Sequence, residues 1–263
     1  MIDGKKYKKR VVVKVGTNVM TNNDNRIVNP ILRQLVSQIA RLYEEDIITV
    51  LISSGSVIAG KEVLHTNTIK DPTIRRQVYS AVGQPRMMRH YYSIFHDYGM
   101  RCAQVLATKR DFDPGLHREN MINCYEGLLS QGIVPIANED DAISLSMSMF
   151  SDNDELASLV AELINADLLI LLTDTDGLYT GHPDDENSEL LTSVSTDQKV
   201  DHFIQASNKK PGEGRGGMMS KINMAKQTAA KNIPTYIANG KQEEVIIDIV
   251  HGKEVGTRVF QDD

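Results

Sequence analysis

Two carboxylates and an amide stand side by side at Asp152, Asn153 and Asp154, just before the apolar run LASLVAELI. A side-chain oxygen at such a position can accept hydrogen bonds from the unpaired N–H groups of a first helical turn. Capping explains only one of the three residues. We expect Asp154 to cap the helix and also to hold a lysine by a charge-assisted hydrogen bond. Asn153 can then offer its amide to a ligand, and the role of Asp152 stays open.

Two short segments combine a polar side chain with a glycine after an apolar run. Lys14 ends the run RVVVK and is followed closely by Gly16, and the segment SSGS contains Ser54, a candidate helix cap, and Gly55. A buried lysine is costly unless it is paired or binds an anion, although a lysine at a strand end can also reach solvent. Glycines let a backbone approach a ligand closely, and the two segments together favour phosphate binding.

The loop GEGRGGMMSK, residues 212–221, combines glycines with Arg215 and Lys221. It matches neither GxxxxGK[ST] nor GxGxxG after the first strand, which argues against a P-loop and against a dinucleotide-binding site. With Lys209 and Lys210 it concentrates positive charge in an acidic chain. This suits a mobile flap over a polyphosphate, and the alternative is a flexible linker.

These groups need a scaffold, and the hydrophobic pattern indicates which one. Short runs that are apolar at successive positions are typical of strands buried on both faces of a parallel sheet. We predict strands near 10–15, 46–53, 102–108, 132–138, 167–173 and 233–238. Amphipathic helices are predicted near 29–45, 73–98, 117–131, 153–165 and 219–232, the first opened by Asn29 as cap and Pro30 in the first turn. The alternation predicts an α/β fold, a three-layer helix–sheet–helix sandwich with a mainly parallel central sheet.

In such a fold ligands bind at the carboxyl ends of the strands. The segments at those ends are KVGTNVM, SSGSVIAG, NEDDAI and TDTDGLYT, and all are polar or glycine-containing. Thr173 and Asp174 in the last of them form either an ordinary turn or part of a shared site. We therefore expect one composite site at this edge of the sheet.

Composition excludes several classes of protein. Lysine and arginine total 29 against 35 aspartate and glutamate, a net charge of −6 that gives no broad basic surface for nucleic acid. Cys102 and Cys124 are the only cysteines, so we expect neither a disulfide framework nor a cysteine metal cluster. The sequence lacks an apolar leader and any apolar run of about 20 residues. We expect a cytoplasmic protein with one domain over residues 1–263, of which 1–9 form a flexible tail.

The segments KVGTNVM, SSGSVIAG, AVGQPR, VPIANEDDAI, FSDNDELASLVA, LLTDTDGLYT and GRGGMMSK occur in the order seen in the amino-acid kinase superfamily. Between about residues 10 and 260 the sequence most closely resembles the gamma-glutamyl kinase family, also called glutamate 5-kinases, in a form without a C-terminal PUA domain. The resemblance implies ATP-dependent phosphorylation of the side-chain carboxylate of L-glutamate, giving L-glutamyl 5-phosphate. This is the first step of proline biosynthesis, and it uses Mg²⁺ carried by ATP.

The resemblance also implies a role for each site residue. Lys14 and Lys221 match the lysines that neutralise the transferring phosphoryl group, and Asp154 matches the aspartate that orients them. The implied glutamate-binding residues are Ser54, Gly55, Asn138, Asp141 and Asn153. The implied ATP-binding residues are Lys14, Gly16, Thr173, Asp174, Arg215, Gly216, Gly217, Met218, Met219, Ser220 and Lys221. Asp141, with Asp152 as a further candidate, is suited to the α-ammonium group of an amino acid, because opposite charges attract strongly where water is partly excluded.

The residue chemistry agrees with this family. A carboxylate acceptor, with a reference pKa of about 4.3, is ionised at neutral pH and needs no general base. Two alternatives stay open: a related kinase that acts on another amino acid or acidic metabolite, and a ligand sensor that binds ATP or an amino acid without turnover. Three departures from the usual family pattern, Asp140, Tyr125 and Arg215, leave the affinity and the acceptor open. The family also implies a homodimer or homotetramer, proline as feedback inhibitor and a glutamyl phosphate reductase as partner.

Overall fold

In a computed structural model of the protein, the described residues are 7–22, 24, 26–64, 68–144, 149–206 and 217–262, without the side chains of 204–206. The strands are β1 Lys9–Val15, β2 Ile47–Ser53, β3 Arg101–Ala107, β4 Ile133–Glu139, β5 Leu168–Thr173, β6 Leu178–Tyr179, β7 Leu190–Leu191, β8 Ser193–Ser195, β9 Thr235–Asn239 and β10 Thr257–Phe260. The helices are α1 Thr17–Met20, α2 Asn29–Glu44, α3 Ser56–Val63, α4 Pro72–Asp97, α5 Leu116–Ser130, α6 Asn153–Leu163, α7 Asp201–Ala206, α8 Met218–Ala229 and α9 Val245–Val250, with a 3-10 turn at Lys109–Phe112.

The main sheet is mostly parallel. Its eight described strands follow the order β3, β4, β2, β1, β5, β9, β10, β8, and only the pairing of β10 with β9 is antiparallel. Strand β1 lies between β2 and β5, where Val15 pairs with Ser53 on one side and with Leu172 on the other. The carboxyl ends of these three strands therefore lie level at one edge of the sheet.

Two hydrophobic cores cover the two faces of the sheet. In β1, Val12 belongs to the core formed with α5, α6 and α8, whereas Val11, Val13 and Val15 belong to the core formed with α2, α4 and α9. Alternate residues of a strand point to opposite faces, so a strand buried on both faces is apolar at most successive positions. The predicted three-layer α/β sandwich is confirmed.

The individual elements follow the predicted pattern, with a correction at the start of α2. Each predicted strand and helix is present, with its ends shifted by at most a few residues. Helix α2 does not begin with Asn29 as its cap: the N-cap is Val28, without a capping side chain, and Asn29 is already helical. Pro30 is in the first turn as predicted, because its missing N–H has no helical partner to lose there.

The beginning of the chain is only partly described. Strand β1 starts at Lys9, and the backbone N–H of Lys8 donates to the carbonyl of Asp46 over 2.8 Å. Residues 1–6 of the expected tail lie outside the described residues. None of the helices in the described part of the chain is long and apolar enough to cross a membrane.

Candidate active site

A cleft of about 260 Å³ opens at the carboxyl ends of β1, β2, β4 and β5. A volume somewhat below the roughly 300–1,000 Å³ of pockets that enclose drug-sized ligands accommodates one small molecule or part of a larger one. Most of the predicted site residues line it: Lys14, Gly16, Ser54, Gly55, Asn138, Asp141, Asn153, Thr173, Asp174 and Lys221. The structure thus brings together residues from six separate segments.

Asp154 holds two lysines under the floor of this cleft. Its Oδ1 lies 2.7 Å from Nζ of Lys14, and its Oδ2 accepts a hydrogen bond of 2.8 Å from Nζ of Lys221. Asp154 is fully buried, and the two lysines are 5% and 7% exposed. Lys14 is placed by β1 and Lys221 by the first turn of α8, so one carboxylate fixes two cations that come from distant parts of the chain.

Burial and neighbouring charges shift the pKa values of Asp154 and Lys14. Burial disfavours the ionised form of Asp154, yet the ammonium groups of Lys14 and Lys221 outweigh burial and lower the pKa of its carboxyl group. Burial also lowers the pKa of Lys14, as does Lys221, while the Asp154 carboxylate raises it. With one anion for two lysines, the group carries surplus positive charge whenever both lysines are protonated.

Asp152, not Asp154, caps helix α6. Asp152 Oδ1 accepts hydrogen bonds from the backbone N–H groups of Asp154 and Glu155, at 2.9 and 3.1 Å. The prediction that Asp154 is the cap was wrong by two residues, because any of the adjacent polar residues could serve. Asp152 Oδ2 also accepts a 2.5 Å hydrogen bond from Ser220 in α8. Asp152 therefore ties together the two helix starts that position Asp154 and Lys221.

Asn153 connects β2 with β4 across the cleft. Its Nδ2 donates to Oγ of Ser54 over 3.0 Å and to Oδ1 of Asn138 over 2.8 Å. Ser54 does not cap α3 as predicted; the N-cap is Gly55, which has a φ of 98° and no capping side chain. A glycine is favoured there because other residues rarely adopt that left-handed backbone.

The other side of the cleft is formed by the ends of β1 and β5. Asp174 accepts a hydrogen bond of 3.1 Å from Nδ2 of Asn18 and one of 3.2 Å from the hydroxyl of Thr173. The N–H of Gly16 donates to the carbonyl of Leu172 over 3.3 Å. The backbone of Gly16 is thus already bonded to β5, and any ligand contact at this position depends on the close approach that a glycine permits.

The glycine-rich loop is described only from Gly217 onward. Arg215 and Gly216 lie outside the described residues. Gly217 is the N-cap of α8, and Met218 and Met219 pack against the hydrophobic core while Lys221 lines the cleft. The predicted contact of this loop with a nucleotide stays a prediction.

Sequence reasoning missed the partner of Asp141. Nε and Nη2 of Arg76, in α4, donate to Oδ1 of Asp141 over 3.0 and 2.7 Å. Nη2 also lies 3.9 Å from Glu139 Oε2, and both Arg76 and Glu139 line the cleft. Amphipathic spacing had placed α4 correctly, but it did not indicate which of its polar residues face the site. Tyr125, one of the departures from the family pattern, is buried in the hydrophobic core.

Among the described residues, no three His, Cys, Asp or Glu side chains are grouped as metal ligands. The carboxylate of Asp154, the most deeply buried of the site, already has a lysine at each oxygen.

The mainly parallel sheet with a cleft at the carboxyl ends of its strands defines an α/β class of protein, and comparison with known families identifies the class more closely. Residues 9–239 match the model of the amino acid kinase family. The chain therefore belongs to the amino acid kinase family, and within it to the glutamate 5-kinases, as the following relatives show.

Two curated glutamate 5-kinases illustrate the similarity. The protein from Bacteroides thetaiotaomicron is 39% identical over 241 residues, which cover 92% of this chain and 66% of that protein. The protein from Chlorobaculum tepidum is 38% identical over 253 residues, which cover 95% of this chain and 68% of that protein. The chain thus spans about two thirds of the length of these relatives. The predicted family is confirmed.

Similarity to solved structures supports the fold. Carbamate kinase from Giardia lamblia bound to AMP-PNP superposes with a TM-score of 0.72 at 18% identity, and the match covers 100% of both chains. The amino-acid kinase fold predicted from the sequence is thereby confirmed.

Proposed function

We propose that this chain transfers the γ-phosphoryl group of ATP to the side-chain carboxylate of L-glutamate and so forms L-glutamyl 5-phosphate. The observation that carries the proposal is the pair of buried lysines, Lys14 and Lys221, which line the cleft and are held by the two oxygens of Asp154. Kinship with the glutamate 5-kinases supplies the identity of the acceptor.

The lysine pair suits the charge that moves in this reaction. A carboxylate oxygen of glutamate attacks the γ-phosphorus, and the bond to the oxygen that bridges the β- and γ-phosphates breaks, so that ADP leaves. Catalysis of such a transfer rests on positioning and on charge stabilisation. Asp154 fixes Lys14 and Lys221 before substrate arrives, so little reorganisation is required when negative charge accumulates on the γ-phosphoryl oxygens.

The acceptor needs no base. Its side-chain carboxyl group, with a reference pKa of about 4.3, is already ionised at neutral pH. None of the described residues that line the cleft is a histidine. We assign Ser54, Asn138 and Asn153 to the acceptor, with Asp141 facing its α-ammonium group.

The nucleotide lies, in this proposal, over the ends of β1 and β5. Thr173 and Asp174 line that side of the cleft, and the segment from Arg215 to Lys221 completes the nucleotide site as the family resemblance implies. Mg²⁺ enters as the complex with ATP. It supplies further positive charge on the phosphates.

Family resemblance extends the proposal to biological context. We place the reaction in the cytoplasm as the first step of proline biosynthesis, with proline as feedback inhibitor and a glutamyl phosphate reductase as the enzyme that consumes the product. A homodimer or homotetramer is the proposed assembly.

The test is ATP consumption by the purified chain with Mg²⁺ and L-glutamate, with hydroxylamine present to trap the acyl phosphate. Aspartate, N-acetylglutamate and no acceptor serve as controls. Lys221→Ala is expected to lower kcat by about 10²–10³-fold, the usual loss when one transition-state donor is removed. Lys226→Ala is the matched control, because Lys226 is on the same helix but donates to the carbonyl of Gln198 instead of Asp154. A preference for another acceptor, or ATP binding without turnover, would contradict the proposal.

A further inference from the structure

One face of helix α4 carries three polar residues at a spacing of four: Arg76, Ser80 and Gln84. Residues four apart in a helix lie one above the other, so the three form a row, here called the α4 row. It includes the glutamine of the AVGQPR segment, for which the proposed reaction leaves no role. All three contact residues that line the cleft.

The first member of the row binds an acidic group. Arg76 donates twice to one oxygen of Asp141, and its guanidinium also lies near Glu139. Asp141 and Glu139 are 6% and 4% exposed. Two carboxylates so close together repel each other in a poorly hydrated place. Arg76 offsets that repulsion and fixes the direction of Asp141.

The second member, Ser80, adds a further contact between α4 and Asp141. Ser80 Oγ lies 3.0 Å from Asp141 Oδ2 and 3.1 Å from Ser56 Oγ. A serine hydroxyl has one proton, and a carboxylate only accepts. Ser80 therefore donates to Asp141 and accepts from Ser56. Both oxygens of Asp141 are thus bonded to α4.

The third member sets the orientation of two amides. Gln84 Oε1 accepts a 2.9 Å hydrogen bond from Nδ2 of Asn138, which turns Oδ1 of Asn138 toward Nδ2 of Asn153. The Nδ2 group of Asn153 also donates to Ser54. With both of its N–H groups used, Asn153 has its carbonyl oxygen to offer a ligand. The carbonyl oxygen of Asn153 and the carboxylate of Asp141 both accept hydrogen bonds. They therefore suit a ligand group that donates hydrogen bonds, such as an ammonium group.

Helix α4, which carries the row, is held at a fixed distance from helix α3. A Cβ atom on Gly83 would lie 1.7 Å from the carbonyl oxygen of Ser56, and one on Gly60 would lie 1.9 Å from that of Tyr79. Helices α3 and α4 therefore touch backbone to backbone. Because core packing resists small displacements, this contact fixes the position of the α4 row relative to the cleft.

We propose that the α4 row positions the acceptor subsite for an amino acid with a free α-ammonium group, with Arg76 as the positioning residue for Asp141 and Gln84 as that for Asn138. The inference rests on the proposed function, since it deepens the description of the same site. It predicts discrimination against N-acylated acceptors, which lack the ammonium charge.

The test compares Arg76→Gln and Arg76→Lys with Arg75→Gln in the hydroxamate assay. Arg76→Gln is expected to raise KM for glutamate about tenfold or more, the scale of a lost hydrogen bond to a charged group, with a smaller change in kcat and none in KM for ATP. Arg76→Lys keeps the charge and is expected to be intermediate. Arg75 is the adjacent arginine and is not among the residues that line the cleft, so its variant should match the wild type.

A pH profile separates positioning from a loss of folding. Burial and Asp141 raise the pKa of Glu139, while the hydrogen bond from the backbone N–H of Phe150 and the charge of Arg76 lower it. Removal of Arg76 then raises this pKa further. Glu139 is then protonated at a higher pH. In Arg76→Gln the acid limb of the plot of 1/KM for glutamate against pH should therefore move to higher pH. If Arg76 only supported the fold, this limb would stay at the same pH.

A second pair of variants tests the other end of the row. Gln84→Met should raise KM for glutamate, and Gln38→Met is its control. Gln38 is a fully buried glutamine in α2 that accepts from the N–H of Ile246, away from the cleft. Its variant should lower the melting temperature without a change in KM for glutamate.

Each outcome decides the inference. An unchanged KM for glutamate in Arg76→Gln and Gln84→Met overturns it, as does an equal effect of Arg75→Gln. If the wild-type protein uses another free amino acid, the proposed function is wrong, and the same KM comparison on that amino acid decides the role of the α4 row. A preference for N-acetylglutamate overturns both. If no acceptor is turned over, calorimetric binding of glutamate to the wild type and not to Arg76→Gln supports the inference, and no binding to the wild type overturns it.

Discussion

Nζ of Lys14 lies 2.7 Å from Oδ1 of Asp154, and neither side chain has more than marginal contact with solvent. The other oxygen of the carboxylate is bonded to Lys221. A buried ion pair adds little net stability, but removal of one partner strands the other charge. The consequences of changing Asp154 are therefore large in both stability and catalysis.

Asp154→Asn is expected to lower the free energy of unfolding by about 3–5 kcal/mol, because two buried ammonium groups lose their counter-ion. The measurement is urea denaturation. Asp167→Asn is the control, since Asp167 accepts from the backbone of Arg10 in an exposed position. A variant as stable as the wild type would mean that the lysines reach solvent without Asp154.

The same variant should shift the alkaline limit of activity. The Asp154 carboxylate raises the pKa of Lys14, against burial and Lys221, which lower it. Without the carboxylate the pKa of Lys14 falls further, so this lysine loses its proton at a lower pH. We expect kcat of Asp154→Asn to decline at lower pH than kcat of the wild type. An alkaline limb at the same pH in both proteins would contradict the assigned coupling.

Asp152 connects capping with the position of Lys221. Asp152→Ala removes the cap of α6, a loss of about 1 kcal/mol, and also the bond from Ser220. Asp152→Asn should retain the cap, since asparagine caps as well as aspartate does. Denaturation curves of both variants and of Ser220→Ala separate the two contributions. Equal stability of Asp152→Ala and Asp152→Asn would show that capping contributes nothing here.

The sequence allowed prediction of most of the sheet. Strands such as β1 and β5 are apolar at successive positions, because a strand covered on both faces has no polar side. The antiparallel strand β10 and the short helix α9 were missed. Neither has a long periodic pattern, and their structure depends on tertiary contacts with β9 and α2.

Site residues could be predicted where the residue type at a position allows only one chemical role. They were missed where several neighbouring residues could take the same role. A lysine inside an apolar strand needs an anion, and the family resemblance indicated Asp154 as the residue that orients Lys14 and Lys221. Asp152 and Asp154 are equally competent caps, and only the backbone geometry distinguishes them. Arg76 belongs to a helix whose polar residues look alike in sequence. Arg76 faces the cleft because of the way α4 packs on α3, which is a tertiary relationship.

The contact between α3 and α4 makes Gly83 sensitive to substitution. An added Cβ would overlap the backbone of Ser56 and Gly60. Because these atoms are backbone and cannot rotate away, Gly83→Ala must push α3 and α4 apart. We expect a loss of at least about 1–3 kcal/mol of stability, the usual cost of overpacking, and a higher KM for glutamate, since Ser56 and the α4 row move relative to each other.

Gly127→Ala is the matched control for this substitution. Gly127 is also inside a helix, α5, and an added Cβ would meet nothing within 4 Å. There the alanine should stabilise the protein by about 0.5–1 kcal/mol, because glycine loses more backbone entropy on folding. Thermal unfolding and KM for glutamate, measured on both variants, give opposite changes in stability and a change in KM for Gly83→Ala alone. If Gly83→Ala were stabilising as well, α3 and α4 would not touch at this point, and the fixed position of the α4 row would have to be abandoned.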